Sequence, residues 1–165
     1  MSVIAARSVF LERSTICCRT LLAIAGCTAM VPLHAGELGI TSSQSLSFGK
    51  FAAGDGSVTV RPDGSRLTSG QVITLDSGPG QAASFVVTGD PDLTYAVTLP
   101  GDGTVTMSDG VNSMQVNSFV SSPVSSGTLS GGGSQLLDVG ATLEVGAGQP
   151  AGNYSGTFMV VVDYN

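Results

Sequence analysis

From residue 57 to its end, this chain repeatedly alternates apolar with small polar side chains at a period of two, and a helical period never starts. "SVTV" sets Val58 and Val60 on one face; "LTYAVTL" sets Leu93, Tyr95, Val97 and Leu99 against Thr94, Ala96 and Thr98. "TVTM" repeats the pattern with Val105 and Met107, and "LLDVGATLEV" aligns Leu137, Val139, Ala141, Leu143 and Val145. Successive side chains of a strand point to opposite faces, so each run predicts a half-buried antiparallel strand. The last fourteen residues, "GNYSGTFMVVVDYN", carry the alternation furthest. Gly152, Tyr154, Gly156, Phe158, Val160, Val162 and Tyr164 share one parity, and Asn153, Ser155, Thr157, Met159, Val161 and Asp163 the other. Chain ends usually fray. One this strand-like is expected to be built into something.

Turn signals separate the runs: "GDG" at 54–56, "PDG" at 62–64, "SGPG" at 77–80, "GDPD" at 89–92, "PGDG" at 100–103 and "SDG" at 108–110. Glycine supplies positive φ, proline presets φ and aspartate caps its own turn, so each reads as a hairpin or corner. Residues 121–135, "SSPVSSGTLSGGGSQ", form the low-complexity stretch and read as a mobile loop or a short edge strand. There is no internal repeat. Eight to ten short antiparallel strands predict an all-β, two-sheet sandwich, with a small barrel as the second choice.

The first 35 residues differ in kind. Arg7, Arg13 and Arg19 precede the apolar run "LLAIAGCTAMVPLHA", closed by Ala35, which is the pattern of a cleaved export leader. An anchor helix would need about 20 apolar residues. "IAGC" at 24–27 resembles a lipobox that would lipidate Cys27, but the apolar run continues past it to Leu33, which favours cleavage near Ala35. Either route exports the chain, to the periplasm and on to the cell surface or beyond. Cleavage leaves 130 residues, enough for one domain with a real core. Cys17, Cys18, Cys27 and His34 leave with the leader, so the mature domain has no disulfide to staple it. Lys50, Arg61 and Arg66 then face eleven acidic residues, a net charge of −8. Such a surface does not attract nucleic acid or anionic lipid, and no later segment is apolar enough to insert in a membrane.

Without mature histidine or cysteine, nucleophilic triads and the usual zinc sites lack a required part. Paired carboxylates could still serve a glycosidase. The acidic residues, however, sit mostly in turns, where their ordinary task is local hydrogen bonding. The sequence therefore predicts no enzyme, no cofactor and no metal. Asp90 with Asp92, or Asp102 with Asp109, could offer calcium ligands, but the twelve-residue loop with its closing glutamate is missing. "NYS" at 153–155 matches a glycosylation acceptor and reads more simply as strand.

The terminal stretch, with Gly152 fourteen positions from the end and a penultimate Tyr164, resembles the closing strand of chaperone–usher pilus subunits. "LSFGKFAAGDGSVTVRPDGSR" followed by "VGATLEVGAGQPAGNYSGTFMVVVDY" resembles a bacterial secreted family of unknown function that is similar to spore-coat-U proteins and archaic pilins. The resemblance spans roughly residues 45–165. It implies an immunoglobulin-like antiparallel sandwich lacking one strand, with a groove beside the terminal strand. A periplasmic chaperone strand, and later the N-terminal segment of a like subunit, would fill that groove. Carried onto this chain, the contact residues are Tyr154, Phe158, Val160, Val162 and Tyr164, with Gly152 and Gly156 leaving space. The expected organisation is a leader at 1–35, a short N-terminal arm at 36–44 and the sandwich at 45–165. The arm departs from the pilin pattern, since Leu38 and Ile40 are its only alternating apolar pair. Two functions stay open: a structural, pilin-like subunit of a surface fibre or coat, and a self-contained secreted adhesion or carbohydrate-binding domain.

Overall fold

In the residues described by the computed structural model, 2–4 and 36–165, every regular element is a strand. In chain order these are β1 (Ser2–Ile4, backbone only), β2 (Gly39–Gln44), β3 (Gly49–Ala52), β4 (Gly56–Val60) and β5 (Arg66–Gly70). They continue with β6 (Ile73–Thr74), β7 (Ala83–Thr88), β8 (Thr94–Thr98), β9 (Val105–Ser108) and β10 (Ser113–Ser122). The last four are β11 (Ser126–Thr128), β12 (Ser134–Val145), β13 (Asn153–Tyr154) and β14 (Val161–Tyr164). The expected leader, with its cysteines and cleavage point, otherwise lies outside the described residues.

The twelve-residue β12 is the spine. Its first half pairs with β7, its second half with β4, and β10 runs along its other edge. The sheet continues from β7 to β2 and from β10 to β9, while β8 joins β11 to β14 in a second sheet. Among the described residues every strand pairing but one is antiparallel, which suits strands with one wet face. The expected all-β sandwich is the fold found.

The core follows the predicted parities. Val58, Val60, Tyr95, Met107, Leu137, Val139, Ala141, Leu143 and Val145 are all buried. Leu93 is the exception: it precedes β8 and is exposed. Two strands were hidden from period-two reading. In β10, Met114 and Val116 are buried, but a register shift between Asn117 and Val120 interrupts the alternation. The bulge is held from outside, with Ser118 N–H donating to Asp102 Oδ1 at 2.6 Å and Gly103 N–H to Asn117 Oδ1 at 2.9 Å. Around β3, Leu46, Phe48 and Phe51 are all buried although Phe51 breaks their parity. Gly49 lies between them at φ 75°, a left-handed conformation that resets the alternation.

The low-complexity stretch is also ordered into the sheet. β11 pairs with β8 so that Gly127 lies opposite Tyr95, and a Cβ there would come within 2.5 Å of the ring's Cζ and hydroxyl. Only glycine fits. The Tyr95 hydroxyl donates to Gln135 Oε1 at 2.9 Å, and burial pushes its pKa up.

Candidate functional site

The C-terminal stretch is two short strands rather than one. Residues 153–155 lie beside β9, where Ser108 and Ser155 form an isolated antiparallel bridge. Residues 161–164 pair instead with β8, from Val161↔Thr98 to Tyr164↔Tyr95. The chain changes sheets between them. Gly156 permits the crossing, because a Cβ at that position would collide with the backbone carbonyl oxygen of Thr106.

The predicted parity nevertheless survives the break. Tyr154 and Phe158 are buried, and Val160, Val162 and Tyr164 are partly buried against the core. Gly152 and Gly156 are intermediate; on the other parity Asn153, Ser155, Thr157, Met159 and Asp163 are exposed, but Val161 is intermediate like Val160 and Val162. Phe158 meets Phe85 edge-on at 6.3 Å and Phe119 at 5.2 Å between ring centroids. The Tyr154 hydroxyl donates to Pro150 O at 2.8 Å and accepts from Gln149 Nε2 at 2.9 Å. The Tyr164 hydroxyl accepts the Asp90 N–H at 2.8 Å. The penultimate tyrosine is therefore part of the fold and does not fray.

Beside the start of this stretch, at β13, is a slot; of the expected contact residues Tyr154 borders it, whereas Val162 and Tyr164 pair with β8 in the other sheet. β1 lies between two strand edges, antiparallel to β3 (Ser2↔Phe51, Val3↔Lys50, Ile4↔Gly49) and parallel to β13 (Val3↔Asn153, Ile4↔Tyr154). Paired strands sit about 4.8 Å apart, so β3 and β13 stand about 10 Å from each other, the room for one strand. Lys50 spends both backbone groups on the side away from the slot, donating to Gly78 O and accepting from Leu75 N–H, each at 2.9 Å. Neighbouring residues of a strand turn their backbone groups to opposite sides, so those of Phe51 face the slot. Arg66 braces this wall from outside, its Nη1 donating to Phe48 O at 3.2 Å and Gly78 O at 2.9 Å.

A separate cleft of about 480 Å³ is lined by Leu99, Pro100, Val105, Phe158, Met159 and Val161 among others. Its lining is largely apolar.

Three of the candidate calcium-ligand aspartates, Asp90, Asp102 and Asp109, are hydrogen-bonded. Asp109 Oδ1 accepts from Val111 and Asn112 N–H at 2.9 and 2.7 Å, and its other oxygen accepts from Asn112 Nδ2 at 3.1 Å. These bonds, the Asn112 N–H foremost, hold its carboxyl at about 2. Asp102 serves the β10 bulge, and Asp90 Oδ2 accepts from Gly36 N at 2.5 Å. Among the described residues no three His, Cys, Asp or Glu side chains are grouped to hold a metal ion.

A family model described as "Domain of unknown function (DUF4402)" matches residues 38–164. The chain belongs to that family. No curated protein and no solved structure matches it. The DUF4402 match takes in the segment expected to be a separate arm, and the structure agrees in where it puts that segment. Residues 39–44 are β2, paired along β7, with Ile40 buried and Leu38 packed against the core. Ile40 thus belongs to the domain's own sheet and Leu38 to the margin of its core. Sequence reading also missed the slot's second wall. "SLSFGKF" carried the family resemblance, but the parity reset at Gly49 disguised β3 as an irregular segment.

Proposed function

We propose that this DUF4402 chain is an exported, non-enzymatic structural subunit of a bacterial surface fibre or coat, and that it accepts a strand between β3 and β13. One observation carries this reading: the strand lying between those edges, Ser2–Ile4, comes from the segment whose sequence reads as a removable leader. Removing it would leave two strand edges facing each other across one strand's width. Unpaired N–H and C=O groups on such edges are a template for another chain. A strand added there gains backbone hydrogen bonds, and its alternate side chains find pockets. The resemblance of "FMVVVDYN" to the closing strand of chaperone–usher pilins, and of the wider sequence to spore-coat-U proteins, supports the same reading.

Its first partner would be a periplasmic chaperone. A like subunit could follow, but to donate residues 36–44 it would have to strip β2 from β7. The chain is thus better suited to accept a strand than to give one, which fits a terminal place in an assembly. The test is to express the full chain with its leader, with and without a candidate chaperone, and size the exported protein. A stable 1:1 complex is expected. A processed monomer that unfolds cooperatively and takes up no strand would end this reading.

The apolar cleft at Leu99, Pro100, Phe158 and Met159 favours the second reading, a self-contained secreted binding domain. It is the function to adopt if the slot is closed in the processed protein.

A further inference from the structure

Gly36 and Asp90 are 54 residues apart in sequence, yet the Gly36 backbone nitrogen lies 2.5 Å from Asp90 Oδ2 in a partly buried contact. Gly36 is also the residue that would become the N-terminus on cleavage after Ala35. We propose that this cleavage completes a lock: the new α-ammonium of Gly36 seats on the Asp90 carboxylate and fastens the start of the domain to the turn that already holds its end. The proposal rests on the leader reading, and is independent of whether the domain accepts a strand.

The turn that carries the receiving carboxylate is held in place through its backbone. The Asp90 N–H donates to the Tyr164 hydroxyl at 2.8 Å, its carbonyl accepts from Leu93 N–H at 3.4 Å, and Gly89 N–H donates to Gly133 O at 2.9 Å. As a peptide amide, Gly36 brings one donor and no charge. As a free terminus it brings a positive charge and up to three donors, and an ionised donor roughly doubles the strength of a hydrogen bond. An α-amine is mostly protonated at neutral pH.

Residue type agrees with the role. A Cβ on residue 36 would sit 2.5 Å from Asp90 Oδ1, so any larger residue would oblige that carboxylate to shift. Charge agrees too. After cleavage only Lys50, Arg61 and Arg66 supply side-chain cations, and the α-ammonium is a fourth, formed directly against a carboxylate.

The test uses full-length protein exported with its own leader. Intact mass establishes the first residue, and a start other than Gly36 overturns the proposal together with the leader reading. Protein starting at Gly36 is then acetylated at the α-amine under mildly acidic conditions, where Lys50 stays protonated. Urea midpoints are compared for modified and unmodified wild type and Asp90→Asn. Acetylation should lower the folding equilibrium of wild type roughly two- to fivefold, the range of partly exposed ion pairs, and leave Asp90→Asn unchanged. Should Asp90→Asn fail to fold, Gly36→Ala keeps the carboxylate but obliges it to shift from its present seat, and its response to acetylation should be smaller than that of wild type. Equal losses in wild type and variant would overturn the lock while the leader reading stands.

Discussion

Ser108 and Ser155 exchange both backbone hydrogen bonds, Ser108 N–H to Ser155 O at 2.8 Å and Ser155 N–H to Ser108 O at 3.0 Å. Through this one bridge the edge of the large sheet reaches the C-terminal stretch just before that stretch crosses to β8. The crossing depends on Gly156. Gly156→Ala would force a methyl group onto the Thr106 carbonyl and is expected to cost about 1–3 kcal/mol. Gly101→Ala, in open space without a positive φ, should stay within about 0.5 kcal/mol of wild type. Urea unfolding of the two variants measures the contrast.

Parity gives a second expectation. Val162→Asp places a charge against the core, and a loss on the order of 2–4 kcal/mol should follow, with strand uptake impaired only through that lost stability because Val162 pairs with β8 away from the slot. Thr157→Asp, on the exposed parity, should be nearly silent in both measurements. Equal losses at the two positions would mean that the terminal stretch does not discriminate its faces.

The slot makes a third expectation local. Because Lys50 turns its backbone groups toward residues 75–78, the Phe51 amide should exchange rapidly in processed protein with an empty slot. Adding a peptide of alternating apolar residues should slow that exchange while leaving the Lys50 amide as it was. Hydrogen exchange resolved by residue reads both. A Phe51 amide equally protected in the two states would show that β3 has no open edge.

Asp109 supplies a pH dependence. Its carboxyl ionises at about 2 in the folded chain against an ordinary 3.8, because it accepts the N–H groups of Asn112 and Val111. A folded pKa below the unfolded one means stability that is present in full above about 4 and lost as pH falls toward 2. Urea midpoints between pH 5 and pH 2 should therefore fall for wild type, and less steeply for Asp109→Asn.

Much of this was legible in the sequence, and most of the failures share one cause. Where backbone geometry stayed regular, as in β4, β9 and β12, a period of two named the buried residues. Where one residue left the regular conformation, the count lost its phase. Gly49 hid β3, the bulge after Asn117 hid β10, and Gly156 made two strands look like one. The buried face at Tyr154, Phe158, Val160, Val162 and Tyr164 survived because its interruption kept the count even. Pairing across long sequence distance, such as Tyr164 with Asp90 or Gly36 with Asp90, leaves no periodic trace at all.

The meeting of Gly36 and Tyr164 at one turn has a mechanical consequence. Pulled apart by its two ends, the domain would be loaded at a single corner, across its strands. β2 would peel from β7 and β14 from β8 one hydrogen bond at a time, at low force. A pull through a strand lodged between β3 and β13 would instead run along the strands and load several backbone bonds together. The same fold would thus be weak as a bead on a covalent string and strong as a link joined through its slot.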